Sequence, residues 1–214
     1  MKKLALLLSV ISIMIVFPLA AFDVYSPMVE WGDWAQRGNR LYQNDEKTSS
    51  SRIHWAVEQE GMMLYDFNVR YEGGGIEDLH GGFGIHIFGD NPSKGYAWGS
   101  GDSYLLWLNY DADPAGSDVP AGLSAQIYKS VSNSKMNLLQ SISLKDFEYL
   151  LTTANADELL KIRLKVDGDT GDAWIYSPID PSYRWKFNLG NRRPIDGDYI
   201  SLRTNSLALS FGLN

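Results

Sequence analysis

The chain has no cysteine among its 214 residues. No disulfide can brace it, so the fold must rest on its hydrophobic core. An exported form anchored by a lipid on cysteine is excluded too. Basic residues are also scarce: 19 Lys and Arg stand against 26 Asp and Glu, for a formal net charge of −7. Nucleic acid and anionic membrane surfaces both demand a basic face, and this balance excludes them as partners. Beyond the N-terminus no apolar run is long enough to cross a bilayer. Internal repeats, low-complexity tracts and linkers are missing as well, which leaves one domain over residues 22–214.

The first 21 residues, MKKLALLLSVISIMIVFPLAA, have a different character from the rest. Lys2 and Lys3 form a positive start, Leu4 to Phe17 an apolar middle, and Pro18 to Ala21 a small-residue exit. That is the layout of a secretory signal peptide, and it predicts a mature start near Phe22 in a periplasmic or secreted protein. An uncleaved anchor is the alternative, but Ser9, Ser12 and Pro18 interrupt the run. Loss of the leader removes two lysines and no acid, taking the net charge from −7 to −9. No membrane insertion is expected after cleavage.

From Phe22 onward the chain is aromatic and alternating. Aromatics make up 13% of the whole sequence, with 7 Trp and 12 Tyr, as suits a β-rich core and sugar-stacking or interface surfaces. In MLYDFNVRY, Met63, Tyr65, Phe67, Val69 and Tyr71 alternate with Leu64, Asp66, Asn68 and Arg70. In LKIRLKV, Leu160, Ile162, Leu164 and Val166 alternate with Lys161, Arg163 and Lys165. This period of two marks half-buried strands with one wet face. RIHWAVE, GFGIHIFG, SYLLWLNY, LSAQIYKSV, MNLLQSIS, DAWIYS, RWKFNL, DYISLRT and LALSFG read as further strands, separated by Gly, Asp, Asn, Pro and Ser turns. One helix competes in SLKDFEYLLTT, with Ser143 as N-cap, Asp146 three residues on, and Phe147, Leu150 and Leu151 at helical spacing. About ten antiparallel strands and one short helix predict an all-β, two-sheet sandwich.

The order of motifs resembles a known superfamily. WAQRGNRLYQND, MLYDFNVRYEGGG, GGFGIHIFGD, LLKIRLKVDGDTGDAWIYSP and YISLRTNSLALSFG follow one another through nearly the whole mature chain. Together they resemble the concanavalin A-like lectin/glucanase jelly rolls, in the branch that includes laminin-G-like modules. The Asp66–Phe67 strand, the glycine-led strand of residues 81–89 and the RLKVDGDTGDAWIY hairpin carry the resemblance. It implies a jelly-roll sandwich whose ligands lie across one open sheet face. These motifs describe scaffold, and function does not follow from them.

The candidate site centres on GGFGIHIFG, where four glycines and four apolar residues surround His86. Phe83, Ile85 and Ile87 share one strand face; Gly84, His86 and Phe88 share the other. The functional reading sets His86 and Phe88 on the open face beside Trp107; the bland one makes His86 a hydrogen-bonded residue of the sheet wall. NPSKGYAWGSGDSY adds Tyr96 and Trp98 on a glycine-rich loop, suited to stacking on a sugar, docking on a partner, or lidding the core. Asp111, Asp113 and Asp118 in DADPAGSD offer oxygen ligands for calcium, which lectin-like relatives carry near the rim, although turn aspartates also serve their own backbone. No other cofactor is expected. Arg192 and Arg193 read as solvated loop charge, and YEGGGIEDLHGG lacks the Lys–Ser/Thr of a phosphate loop.

Glycoside hydrolysis needs two carboxylates at a set separation. Laminarinase-type relatives carry them on one strand as Glu-x-Asp-x-x-Glu, which this sequence lacks. The pairs Asp111/Asp113, Asp167/Asp169 and Asp196/Asp198 fall in turns instead. The leading expectation is therefore an exported, non-catalytic, lectin-like sandwich binding a glycan or an envelope or filament protein. A structural subunit of a periplasmic assembly, such as a periplasmic flagellar filament sheath, is the second. A sugar-active hydrolase with an unrecognised site is the third.

Overall fold

A computed structural model describes residues 27–75, 78–92, 94–151, 160–177, 180–190 and 194–212. The leader, its cleavage point, Arg192 and Arg193 lie outside the described residues. The chain opens with β1 (Met28–Trp31), β2 (Trp34–Arg37), β3 (Arg40–Gln43), β4 (Ser51–Gln59) and β5 (Met62–Gly74). Then come β6 (His80–Gly89), β7 (Ser103–Asp111), β8 (Gly122–Ser132), β9 (Lys135–Ser143) and a 3-10 helix, Lys145–Leu151. β10 (Leu160–Asp167), β11 (Asp172–Tyr176), β12 (Arg184–Asn188), β13 (Gly197–Asn205) and β14 (Leu207–Gly212) complete it.

Two seven-stranded antiparallel sheets result. The front sheet runs β1-β4-β13-β6-β7-β8-β9 and the back sheet β12-β11-β10-β5-β14-β3-β2. Every strand expected from alternation is present. The three additional ones, β1 to β3, are four residues each, too short to display a period. The core lies between the sheets. Phe83, Ile85, Ile87, Leu106 and Ile127 of the front sheet meet Val69, Ile162, Leu164, Leu209 and Phe211 of the back sheet. Each such side chain contributes roughly 1.5–3 kcal/mol by leaving water, which is what must stabilise a fold without disulfides.

Local chemistry explains the connections. Ser206, with φ of 50°, turns the chain from β13 in one sheet directly into β14 in the other. In the β10–β11 hairpin, Asp167 Oδ1 accepts from Asp169 N at 3.0 Å and Thr170 N at 3.2 Å. The Thr170 side chain foremost, and these backbone bonds after it, hold the Asp167 carboxyl below its ordinary value. The expected helix is a 3-10 segment: Phe147 N donates to Leu144 O, three residues back, and Lys145 N to Ser143 Oγ. Tertiary contacts set this tighter winding. Phe147 packs edge-on against Trp185 at 5.3 Å, and Glu148 Oε1 accepts from Leu123 N at 3.0 Å. Among the described residues no helix is long and apolar enough to cross a membrane.

Candidate functional site

The site is built on the outer face of the front sheet, starting from β6. Its alternation sends Phe83, Ile85 and Ile87 into the core and leaves Gly82, Gly84 and His86 facing outward. Gly82 makes room for Trp107 of β7: a Cβ there would stand 2.4 Å from the indole ring. At Gly84 a Cβ would meet Leu106 O at 2.1 Å, so only glycine admits this approach. The indole Nε1 of Trp107 is fixed by Asn109 Oδ1 at 3.0 Å.

Over Trp107 lies a guanidinium. Arg203 of β13 pairs with Gly84 and sits 5.5 Å from the Trp107 ring and 5.0 Å from the Trp98 ring. It donates to Trp98 O and, at 3.0 Å, to Ser50 Oγ. Burial, and then Arg52 beside it, push its pKa down to about 9. Arg52 of β4 is opposite Arg203 in the ladder; it donates to Gly99 O and, at 3.3 Å, to Gly95 O. Burial lowers its pKa, and Glu30 opposes that shift.

Glu30 reaches this cluster through a bulge in β1. Val29 pairs with Ile53 and Trp31 with Arg52, which makes Glu30 the extra residue. Its carboxylate is 3.0 Å from Arg52 Nε and also contacts His54 Nδ1. Its backbone carbonyl accepts from Gly95 N at 3.1 Å.

The loop of residues 90–102 is pinned at several further points. Gly99 N donates to Asn133 O at 2.9 Å, Gly101 N to Asn133 Oδ1 at 2.8 Å, and Ser100 N to Ser130 Oγ at 2.9 Å. Its two aromatics nevertheless remain in solvent. Tyr96 is 60% exposed and Trp98 47%. Trp31, 42% exposed, meets Tyr96 edge-on at 6.0 Å. Tyr96 and Trp98, with Trp31 set against Tyr96, thus make an exposed aromatic platform, and the loop backbone at Gly95, Trp98 and Gly99 is held by two buried arginines.

The expected ligand residues divide accordingly. Tyr96 and Trp98 are at the surface; Trp107 is buried beneath Arg203 and carries the platform. His86 is wall: it is 1% exposed, and its Nδ1 is 3.0 Å from Ser103 Oγ. The Ser103 hydroxyl is spent on Ser100 O at 2.7 Å, so Nδ1 carries the hydrogen and donates. Burial, then Arg203 and Arg52, push the His86 pKa well below its ordinary value and keep the ring neutral.

Phe88 does not share the outer face. Its φ of 51° and the irregular pairing of β13 with β6 between Tyr199 and Ser201 break the alternation, and the ring turns into the core. Asp111 Oδ1 accepts from Asp113 N at 3.1 Å, the side-chain turn that serves backbone. Among the described residues, Asp111, Asp113 and Asp118 included, no three His, Cys, Asp or Glu gather as a metal site.

Sequence reasoning missed Trp31, Glu30, Arg52, His54 and Arg203. No local signal marked them: Arg52, His54 and Arg203 alternate with core Ile53 and Leu202 as outward residues of a wet face do, and only tertiary structure buries them.

No protein-family model matches the sequence. No curated protein matches it either. Solved structures do. The legume lectin-like domain from Entamoeba histolytica aligns with a TM-score of 0.55 at 10% identity, over 87% of this chain and 86% of that one. Lectin I-B4 from Griffonia simplicifolia, in a metal-free form, gives 0.51 at 12% identity over 89% and 92%. The CBM2 module of the evolved Dit of Lactobacillus casei BL23 phage J-1 gives 0.51 at 12% over 85% and 76%. At these identities the likeness concerns architecture. With its paired seven-stranded sheets, the chain has the lectin-like, concanavalin A-type jelly-roll fold.

Proposed function

We propose that the chain is an exported, non-catalytic lectin-like module that binds a carbohydrate through Trp31, Tyr96 and Trp98. One observation carries this reading: the exposed rings of Tyr96 and Trp98 sit on a loop held by buried Arg52 and Arg203, and exposed Trp31 of β1 packs edge-on against Tyr96. Rings fixed before binding lose little entropy on stacking against a sugar face. The absence of catalysis is supported by the acid pairs. Asp111 and Asp167 accept backbone N–H groups of the turns that follow them, Asp196 is exposed in a connecting segment, and Asp198 is exposed on β13 and not in the expected turn. His86 is sealed from substrate, and its Ser103 partner is committed to a carbonyl.

The test is a panel of soluble glycans titrated against intrinsic tryptophan fluorescence. Trp98→Ala should abolish the response to a bound glycan while leaving the melting temperature within a few degrees. Unchanged glycan binding would overturn the reading, and a collapse in melting temperature would show that Trp98 serves stability. An accessory subunit of a periplasmic assembly is a second reading. It is favoured by β1, an edge strand whose Met28 and Val29 are exposed.

A further inference from the structure

The outer face of the back sheet has a charge opposite to that of the chain. Pairing sets two rows of side chains across four strands: Leu64, Lys165, Trp174 and Lys186 in one, Asp66, Arg163, Tyr176 and Arg184 in the next. Lys161 lies beside them. These five cations are opposed by Asp66 and, along one margin, by Asp167 and Asp172. The face thus carries five of the chain's 19 Lys and Arg and three of its 26 acids, leaving fourteen against twenty-three elsewhere.

The face is also apolar at its edge. Leu64 is 57% exposed and Met62 53%, next to a half-buried Trp174 flanked by Lys165 and Lys186, each 5.5 Å from its ring. Exposed Met beside Trp and Arg matches the residues enriched at protein interfaces. A polyanion site would have no use for the leucine and methionine.

A matching surface exists on the same chain. Where β6 begins and β7 ends, Leu79 is 63% exposed, and its carbonyl accepts from Ala112 N at 2.9 Å. Asp78 and Asp113 stand exposed on either side of this contact. Leu79 has a φ of 65°, a conformation costly for a leucine, and burial in a core does not account for it. The tip is an apolar residue ringed by acids; the face is an apolar edge ringed by cations.

We propose that the outer face of β10–β12 docks the Leu79 tip of a second copy of this chain. Leu79 seats beside Leu64 and Trp174, while Asp78 and Asp113 meet Lys165 and Lys186. Face and tip are different surfaces, so the contact is heterologous and each bound copy still offers one free end. Association therefore grows past the dimer into rings or open chains. The inference is independent of the ligand taken by the aromatic platform.

Sedimentation velocity on the purified protein tests it. Concentration-dependent association beyond a dimer is expected at low salt, weakened at high salt because the screening length falls from about 30 Å at about 0.01 M to about 3 Å at about 1 M. Lys165→Glu/Lys186→Glu should weaken association by more than about tenfold, and so should Asp78→Lys/Asp113→Lys. All four positions are at the surface, and circular dichroism should show both variants folded. An equal mixture of the two variants should associate again, because the acidic face of one then meets the basic tip of the other. The proposal is overturned by a protein that stays monomeric at low salt, or by association that both variants leave intact. A monomer retained on heparin through Lys165 and Lys186 would assign the face to a polyanion and overturn it as well.

Discussion

The two sheets differ most in what lies over their outer faces. On the back sheet the outward positions of β10 are Lys161, Arg163 and Lys165, open to water or partly so, and the strand alternates strictly. On the front sheet β6 is buried at all positions from Gly81 to Gly89. Water is replaced there by the loop that carries Tyr96 and Trp98, bonded to Arg52 and Arg203, and Glu30 of the edge strand joins the cluster, so the outward layer becomes a second, polar interior. Alternation thus reports one covered face. Where both faces are covered, polar residues stay outward but must satisfy one another.

Substitutions at outward positions put this difference to the test, and the largest effect belongs to Glu30. Glu30→Gln removes the carboxylate from beside Arg52 and His54 and leaves two adjacent buried guanidiniums uncompensated. A loss of about 3–5 kcal/mol is expected in urea unfolding, as for other broken buried ion pairs. A loss comparable to that of a surface pair would mean the front face is wet.

Gly82→Ala comes next. Its new methyl must displace Trp107 and the Arg203 stacked on it, at a cost of about 1–3 kcal/mol. Thermal unfolding and the near-ultraviolet dichroism of the tryptophans report both consequences. A native-like spectrum would show that the ring has room to spare.

His86 gives the front sheet a pH signature. Its folded pKa lies below the ordinary imidazole value, so below pH about 6.5 the unfolded chain takes up a proton that the folded chain refuses. Stability then falls as pH drops below that point, by at most about 1.4 kcal/mol per pH unit for this group, until the folded pKa is reached. In His86→Asn the slope between pH 6.5 and about 5 should flatten by that contribution. An unaltered slope would assign the acid sensitivity to other groups.

The smallest effect is expected on the back sheet. Asp66 is paired with Arg163 across β5 and β10, but both are part-exposed. Asp66→Asn should cost less than about 1 kcal/mol, and Lys165→Ala about 0.5 kcal/mol or less. Losses as large as that of Glu30→Gln would erase the distinction between the sheets.

Legibility in the sequence followed the same division. β5 and β10 were readable residue by residue because water on one side and core on the other impose a period of two. β1 to β3 were not, since four residues give no period and their pairing is decided by distant strands. Tyr96 and Trp98 were legible as loop aromatics. Phe88 was misread because a left-handed backbone angle cannot be seen in a residue letter. The 3-10 segment was read as a helix because Ser143 and the spacing of Phe147 are common to both windings.

By itself the sequence determined the all-β class, the strand order along the chain, the hairpin turns and the aromatic loop, because local periodicity and turn chemistry act over a few residues. The tertiary structure alone decided that Glu30, Arg52 and Arg203, up to 173 positions apart, share one buried cluster. It also decided that His86 is sealed and that Trp31 joins Tyr96. Those outcomes depend on which strands become neighbours and which loop lies over them, and pairing energies accumulate over the whole sheet before any single side chain meets its partner.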